Sequence, residues 1–107
     1  MKPFPLEREM INANQLLIQK IEALLVAADK AVKKEEWALA NTLLKEGLDT
    51  LGDLYVSSDI VDDTGMKLVL ASAKENEGSL QVAATIRRRV LAARLSLLRE
   101  KNVNAAS

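Results

Sequence analysis

The stretch AVKKEEWALANTLLKEG, residues 31–47, decides the fold, because it is either the middle of one long helix or the corner between two antiparallel ones. Upstream of it, Leu17, Ile21, Leu24, Ala28 and Ala31 follow at spacings of four, three, four and three, and Leu25 and Val32 widen the same helical face. Continuing that register would put Glu35 and Ala38 on the seam. Instead the apolar face resumes at Trp37, Ala40, Leu44, Leu48, Leu51 and Tyr55. The stripe therefore changes phase within KKEE. Charge order points the same way: Lys30, Lys33 and Lys34 suit the negative end of a finishing helix, and Glu35 and Glu36 the positive end of a starting one. The segment has no Gly, Pro or Asn and is built of helix formers, so an unbroken helix is the competing reading. The phase change favours a turn at residues 33–36, with Trp37 as the large core side chain that anchors it.

Two further corners follow. SSDIVDDTG, residues 57–65, interrupts the periodicity with Ser, Asp and Thr, whose short side chains bond nearby backbone groups, and Asp62, Asp63 or Thr64 can cap a third helix. ENEGS, residues 75–79, places Gly78 where a helix can end in the left-handed conformation and Ser79 where the next can be capped. The expected architecture is all-α: a bundle of four antiparallel helices, about 7–33, 35–56, 64–76 and 79–101, arranged as two helix hairpins in a single domain. Residues 1–6, with both prolines, and 102–107 are expected as flexible tails.

Composition supports an all-α chain and removes several chemistries. Of 107 residues, 49% are hydrophobic but only 3% aromatic, and four Gly and two Pro are too few to punctuate a many-stranded sheet. With no Cys there is no disulfide, thiolate nucleophile or zinc–thiolate site. With no His, the side chain best suited to move protons near neutral pH is missing, and with it the Ser-His-Asp and Cys-His arrangements. The acids of residues 57–65 invite a calcium-loop reading, but Asp59 as first position puts Val61 third, Gly65 seventh and Leu70 twelfth, where oxygen ligands are needed. No metal and no cofactor is expected. The N-terminus lacks the apolar run of a secretory signal, and no run approaches the roughly 20 apolar residues that cross a bilayer, so a cytoplasmic setting is the default.

The two expected hairpins overlay at an offset of 43 residues, with Ala28 on Ala71, Trp37 on Leu80 and Ala40 on Ala83. Ala28, Trp37, Ala40, Leu44 and Gly47 resemble the tetratricopeptide-type helix pair, in which a small residue before the turn is followed by a large apolar residue and then Ala. The resemblance spans about residues 20–95. The second hairpin departs from it, with Arg87 where a large apolar residue belongs, and the offset exceeds that repeat's usual ~34 residues. What the resemblance implies is a surface for binding protein segments.

The last helix carries two adjacent apolar rows, Ala83, Ile86, Val90, Ala93 and Leu97 beside Ala84, Leu91, Leu95 and Leu98. Such a width needs cover on two sides, either inside the bundle or from a second subunit or partner. The functional expectation is a non-catalytic protein-interaction module, a homodimer, with Leu91, Leu95 and Leu98 as an apolar centre and Arg87 and Arg94 at its rim. The alternative is a small nucleic-acid-binding regulator in which Arg87, Arg88, Arg94 and Arg99 contact phosphates. Formal net charge is zero, and residues 46–77 hold eight acids against two lysines, which disfavours the alternative. Pairing of the arginines with Asp49, Asp53 or Glu75 would account for them without any ligand.

Overall fold

A computed structural model describes residues 5–52 and 64–106, with side chains described for 15–52 and 65–100. Among them are four helices and no strand: α1 Pro5–Lys33, α2 Trp37–Gly52, α3 Thr64–Asn76 and α4 Leu80–Ala106. The four-helix, two-hairpin expectation holds. Pro5 opens α1 rather than lying in a tail, since a first-turn residue has no intrahelical use for its N–H. At the other end α4 runs five residues beyond the expected 101, to Ala106. Residues 53–63, which include the first five positions of the rejected calcium loop, the expected last turn of α2 and the candidate caps Asp62 and Asp63, lie outside the described residues.

The deciding stretch is a corner. Lys33 ends α1, and Glu35 takes the left-handed backbone conformation with φ 57°. The Glu36 N–H donates to the Ala31 carbonyl at 2.9 Å and the Glu35 N–H to the Val32 carbonyl at 3.0 Å, the paired bonds of a Schellman cap. The α3–α4 corner repeats the geometry: Gly78 has φ 88°, Ser79 N–H reaches Lys74 O at 2.8 Å and Gly78 N–H reaches Glu75 O at 2.9 Å. Gly78 adopts this conformation without a side-chain clash. Glu35 does so at a cost, which is why the first corner is hard to see in a run of helix formers.

Helices α1, α2 and α4 pack on one another, whereas the backbone of α3 approaches only α4. The main core is Ile18, Ile21, Ala28, Ala31, Ala40, Leu44, Ala84, Leu91, Leu95 and Leu98, with Leu17, Leu25, Val32, Trp37, Leu43, Leu48 and Leu51 half-buried around it. Ile21, Leu44 and Leu91 are the large apolar residues buried completely, each stabilising by about 1.5–3 kcal/mol. Trp37 belongs to the margin of this core rather than its centre, because it is the first residue of α2 and stands at the turn end of the hairpin. Small residues let the backbones close: Ala28, Ala40, Ala71 and Ala83 are all fully buried. At Gly47 a Cβ would stand 2.7 Å from Leu91 Cδ2, so α2 meets α4 at a position where any side chain requires Leu91 to shift. The long α1 and α4 make the molecule elongated, with a radius of gyration of 15.5 Å against roughly 13 Å for a compact chain of this size.

Candidate functional site

Most of the wide apolar surface of α4 is covered inside the chain. Its second row, Ala84, Leu91, Leu95 and Leu98, fills the α1–α2–α4 core, while Ala83 and Val90 of the first row are buried on the side of α3. Of the residues expected to form the partner surface, Leu91, Leu95 and Leu98 are 0%, 2% and 7% exposed and Arg87 is 4% exposed. The reason is that α4 lies between the α1–α2 hairpin and α3, which cover its second row and Ala83 and Val90 of the first, while Ala93 and Leu97 stay exposed. Arg94, the other expected rim residue, is half-buried and also makes an interaction of its own.

Arg87 heads a buried polar cluster that joins three helices. Its Nη1 donates to Asn41 Oδ1 of α2 at 2.8 Å, and its Nη2 donates to Glu75 Oε2 of α3 at 3.1 Å, with Ser72 Oγ at 3.5 Å. Asn41, 1% exposed, donates through Nδ2 to the carbonyls of Trp37 and Leu80, both at 2.9 Å, tying the first turn of α2 to the first residue of α4. Lys45 of α2 completes the cluster by reaching the Glu75 carboxylate at 2.9 Å. Every buried side-chain nitrogen and oxygen among the described residues has a partner. Hydrogen bonds from Lys45 and then Arg87 hold the Glu75 carboxyl below the usual carboxylate range, outweighing the opposing effect of burial. Glu75 stays ionised around neutral pH with both cations committed to it, so the cluster fastens α3 rather than moving protons.

The remaining arginines expected to touch phosphate are likewise engaged. Arg88 grips Asp29 through Nε at 2.6 Å and Nη2 at 3.2 Å, and Arg99 reaches Glu22 at 3.0 Å. Both pairs run from α4 to α1, in opposite order along the two helices. Of the acids expected to receive the arginines, Glu75 receives Arg87 and Asp53 lies outside the described residues; Arg88 and Arg99 reach Asp29 and Glu22 of α1. The described residues contain no group of three or more acidic side chains that could hold a metal ion, and no helix long and apolar enough to cross a membrane.

Among the described residues eight large apolar side chains are exposed, and three of them, Met66, Val69 and Leu70, lie together on α3. Leu68, Ala71, Ser72 and Glu75, at helical spacing, form the face toward α4. On the opposite side Met66, Val69, Leu70 and Ala73 repeat the same spacing and form an outward stripe, with Met66 78%, Val69 71% and Leu70 49% exposed. With only Leu68 and Ala71 as apolar residues toward α4, the larger apolar side of α3 is the one its neighbour does not cover. The signal was present in MKLVLASA, residues 66–73, but periodicity cannot say which face the rest of the chain will take. Asn41 was equally visible as a polar residue within the Trp37–Leu44 row, without any indication that its partner lies 46 residues away. No protein-family model, curated protein or solved structure matches the chain.

Proposed function

We propose that this chain is a non-catalytic protein-interaction module, working in the cytoplasm, that docks a partner on the outward face of α3. The observation that carries the reading is the stripe of Met66, Val69 and Leu70, half to three-quarters exposed on a helix already seated on α4 by its other face. Exposed apolar residues scattered singly are ordinary; four in register on one helix face are the usual mark of a contact surface. Its rigidity favours recognition too, because the Arg87–Glu75–Lys45 cluster fixes the helix that presents it.

The nucleic-acid reading draws on arginines that already hold Glu75, Asp29 and Glu22, so a phosphate would have to displace a carboxylate at each. The protein-docking reading needs no such exchange. A photo-crosslinking amino acid placed at position 69 tests it, with one at the exposed Thr42 of α2 as control. In cells expressing the protein, the expected result is a discrete heavier adduct from position 69 and none from position 42. Equal labelling at both, or none at 69, would refute it.

A further inference from the structure

We infer that α3 is a latch on a three-helix core: it leaves α4 and loses its helix as one unit while α1, α2 and α4 stay folded, and Glu75 is the catch that holds it closed. Burial shows how little of the fold depends on α3. All ten residues of the main core, and the half-buried side chains packed around it, come from α1, α2 and α4. Among the described side chains of α3, Ala71 alone is buried, and Leu68, Lys74 and Glu75 are half-buried. One methyl group and part of a leucine give α3 far less apolar burial than α1, α2 and α4 draw from Ile21, Leu44 and Leu91. The α3 backbone also approaches one helix only, whereas each of the others packs on at least two. Elements with so few buried apolar contacts are the ones that open below global unfolding.

The unit that opens is the whole helix. At 13 residues α3 is marginal on its own in water, so once off α4 it unfolds and its amides are released together. The corner behind it leaves room for this. At the first corner Ala31 belongs to the core and Trp37 packs against it. At the second, Asn76, Glu77 and Gly78 are exposed, and a Cβ added at Gly78 would meet nothing. The chain turns outward there without breaking a core contact.

The catch is electrostatic. Glu75 takes Arg87 Nη2 at 3.1 Å and Lys45 Nζ at 2.9 Å, so one carboxylate joins α3 to both α4 and α2. When α3 leaves, Arg87 keeps its bond to Asn41, and the three-helix core loses no side chain of its own. What opening uncovers is a patch of α4, Ala83, Arg87 and Val90, that the closed latch keeps from water.

The test is amide hydrogen exchange of the full chain, followed by NMR at neutral pH over urea concentrations too low to unfold it. Amides 68–76 should exchange through an opening that depends weakly on urea, faster than the core amides of α1, α2 and α4, which follow global unfolding. Two variants separate a latch from a single cooperative unit. Ile21→Val weakens the core whether α3 is on or off, so it should speed the core amides about fivefold and leave those of α3 unchanged. Glu75→Gln weakens only the closed state, so it should speed the α3 amides about thirtyfold. Equal acceleration of α3 and core amides by Ile21→Val would overturn the latch, because α3 would then belong to the same cooperative unit. Unprotected α3 amides in the wild type would overturn it too, since α3 would be open at rest. Separate opening that Glu75→Gln fails to speed would overturn Glu75 as the catch.

Discussion

Replacing Glu75 by Gln isolates the charge that fastens α3. Gln keeps an oxygen that can accept from Arg87 but removes the negative charge, leaving a guanidinium that is 4% exposed with neutral acceptors only, Asn41 Oδ1 at 2.8 Å, Ser72 Oγ at 3.5 Å and the new amide. Removing one partner of a wholly buried pair costs about 3–5 kcal/mol, and an exposed pair contributes about 0–1 kcal/mol. The Glu75 side chain is 23% exposed and its second partner Lys45 is 49% exposed, so water screens the pair part of the way. A loss of about 2 kcal/mol follows. With a urea slope of roughly 1–1.5 kcal/mol/M for a chain of this size, the unfolding midpoint followed by circular dichroism should fall by about 1.5 M. The decisive measurement is the double-mutant cycle with Arg87→Met, which fills similar volume without charge. In that background Glu75→Gln should cost under about 0.5 kcal/mol, because no buried cation remains to be stranded. A coupling energy indistinguishable from zero would refute the claim that the buried arginine depends on Glu75.

The pH dependence of the same pair has a definite sign. Since the folded-state pKa of Glu75 is lowered, its contribution is complete above its ordinary unfolded value and disappears as pH falls through the lowered one, so the stability gap between wild type and Glu75→Gln should close on acidification. At the first corner, Glu35→Gly should stabilise the fold by about 1 kcal/mol by relieving the left-handed conformation of a residue with a Cβ, whereas Gly78→Ala should lose a similar amount; thermal midpoints moving the opposite way would contradict the two caps. Gly47→Val should cost about 1–3 kcal/mol in urea titrations, as its side chain has only the fully buried Leu91 to displace.

The sequence by itself determined the all-α class, the number of helices and three of the corners' consequences for phase and charge. Helix periodicity, caps and end charges are local: Lys33 before Glu36, Thr64 before a new apolar run and Gly78 before Ser79 act through neighbours within a turn or two, so they can be read along the chain. Even there the first corner was ambiguous, because its left-handed residue is Glu35 and no local rule prefers Glu in that role. What only the tertiary structure decided was which apolar face is covered, and by what. The apolar rows of α4 and α3 have the same periodic signature, yet packing encloses Leu91, Leu95 and Leu98 and leaves Met66, Val69 and Leu70 in solvent. Arg87 shows the same limit: read along the chain it is a cation on a helix edge, and only the approach of Asn41 from α2 and Glu75 from α3 makes it a buried bolt. Periodicity fixes the direction of a side chain about its own helix axis; the distance to the next helix, which sets desolvation and pairing, comes from contacts dozens of residues apart.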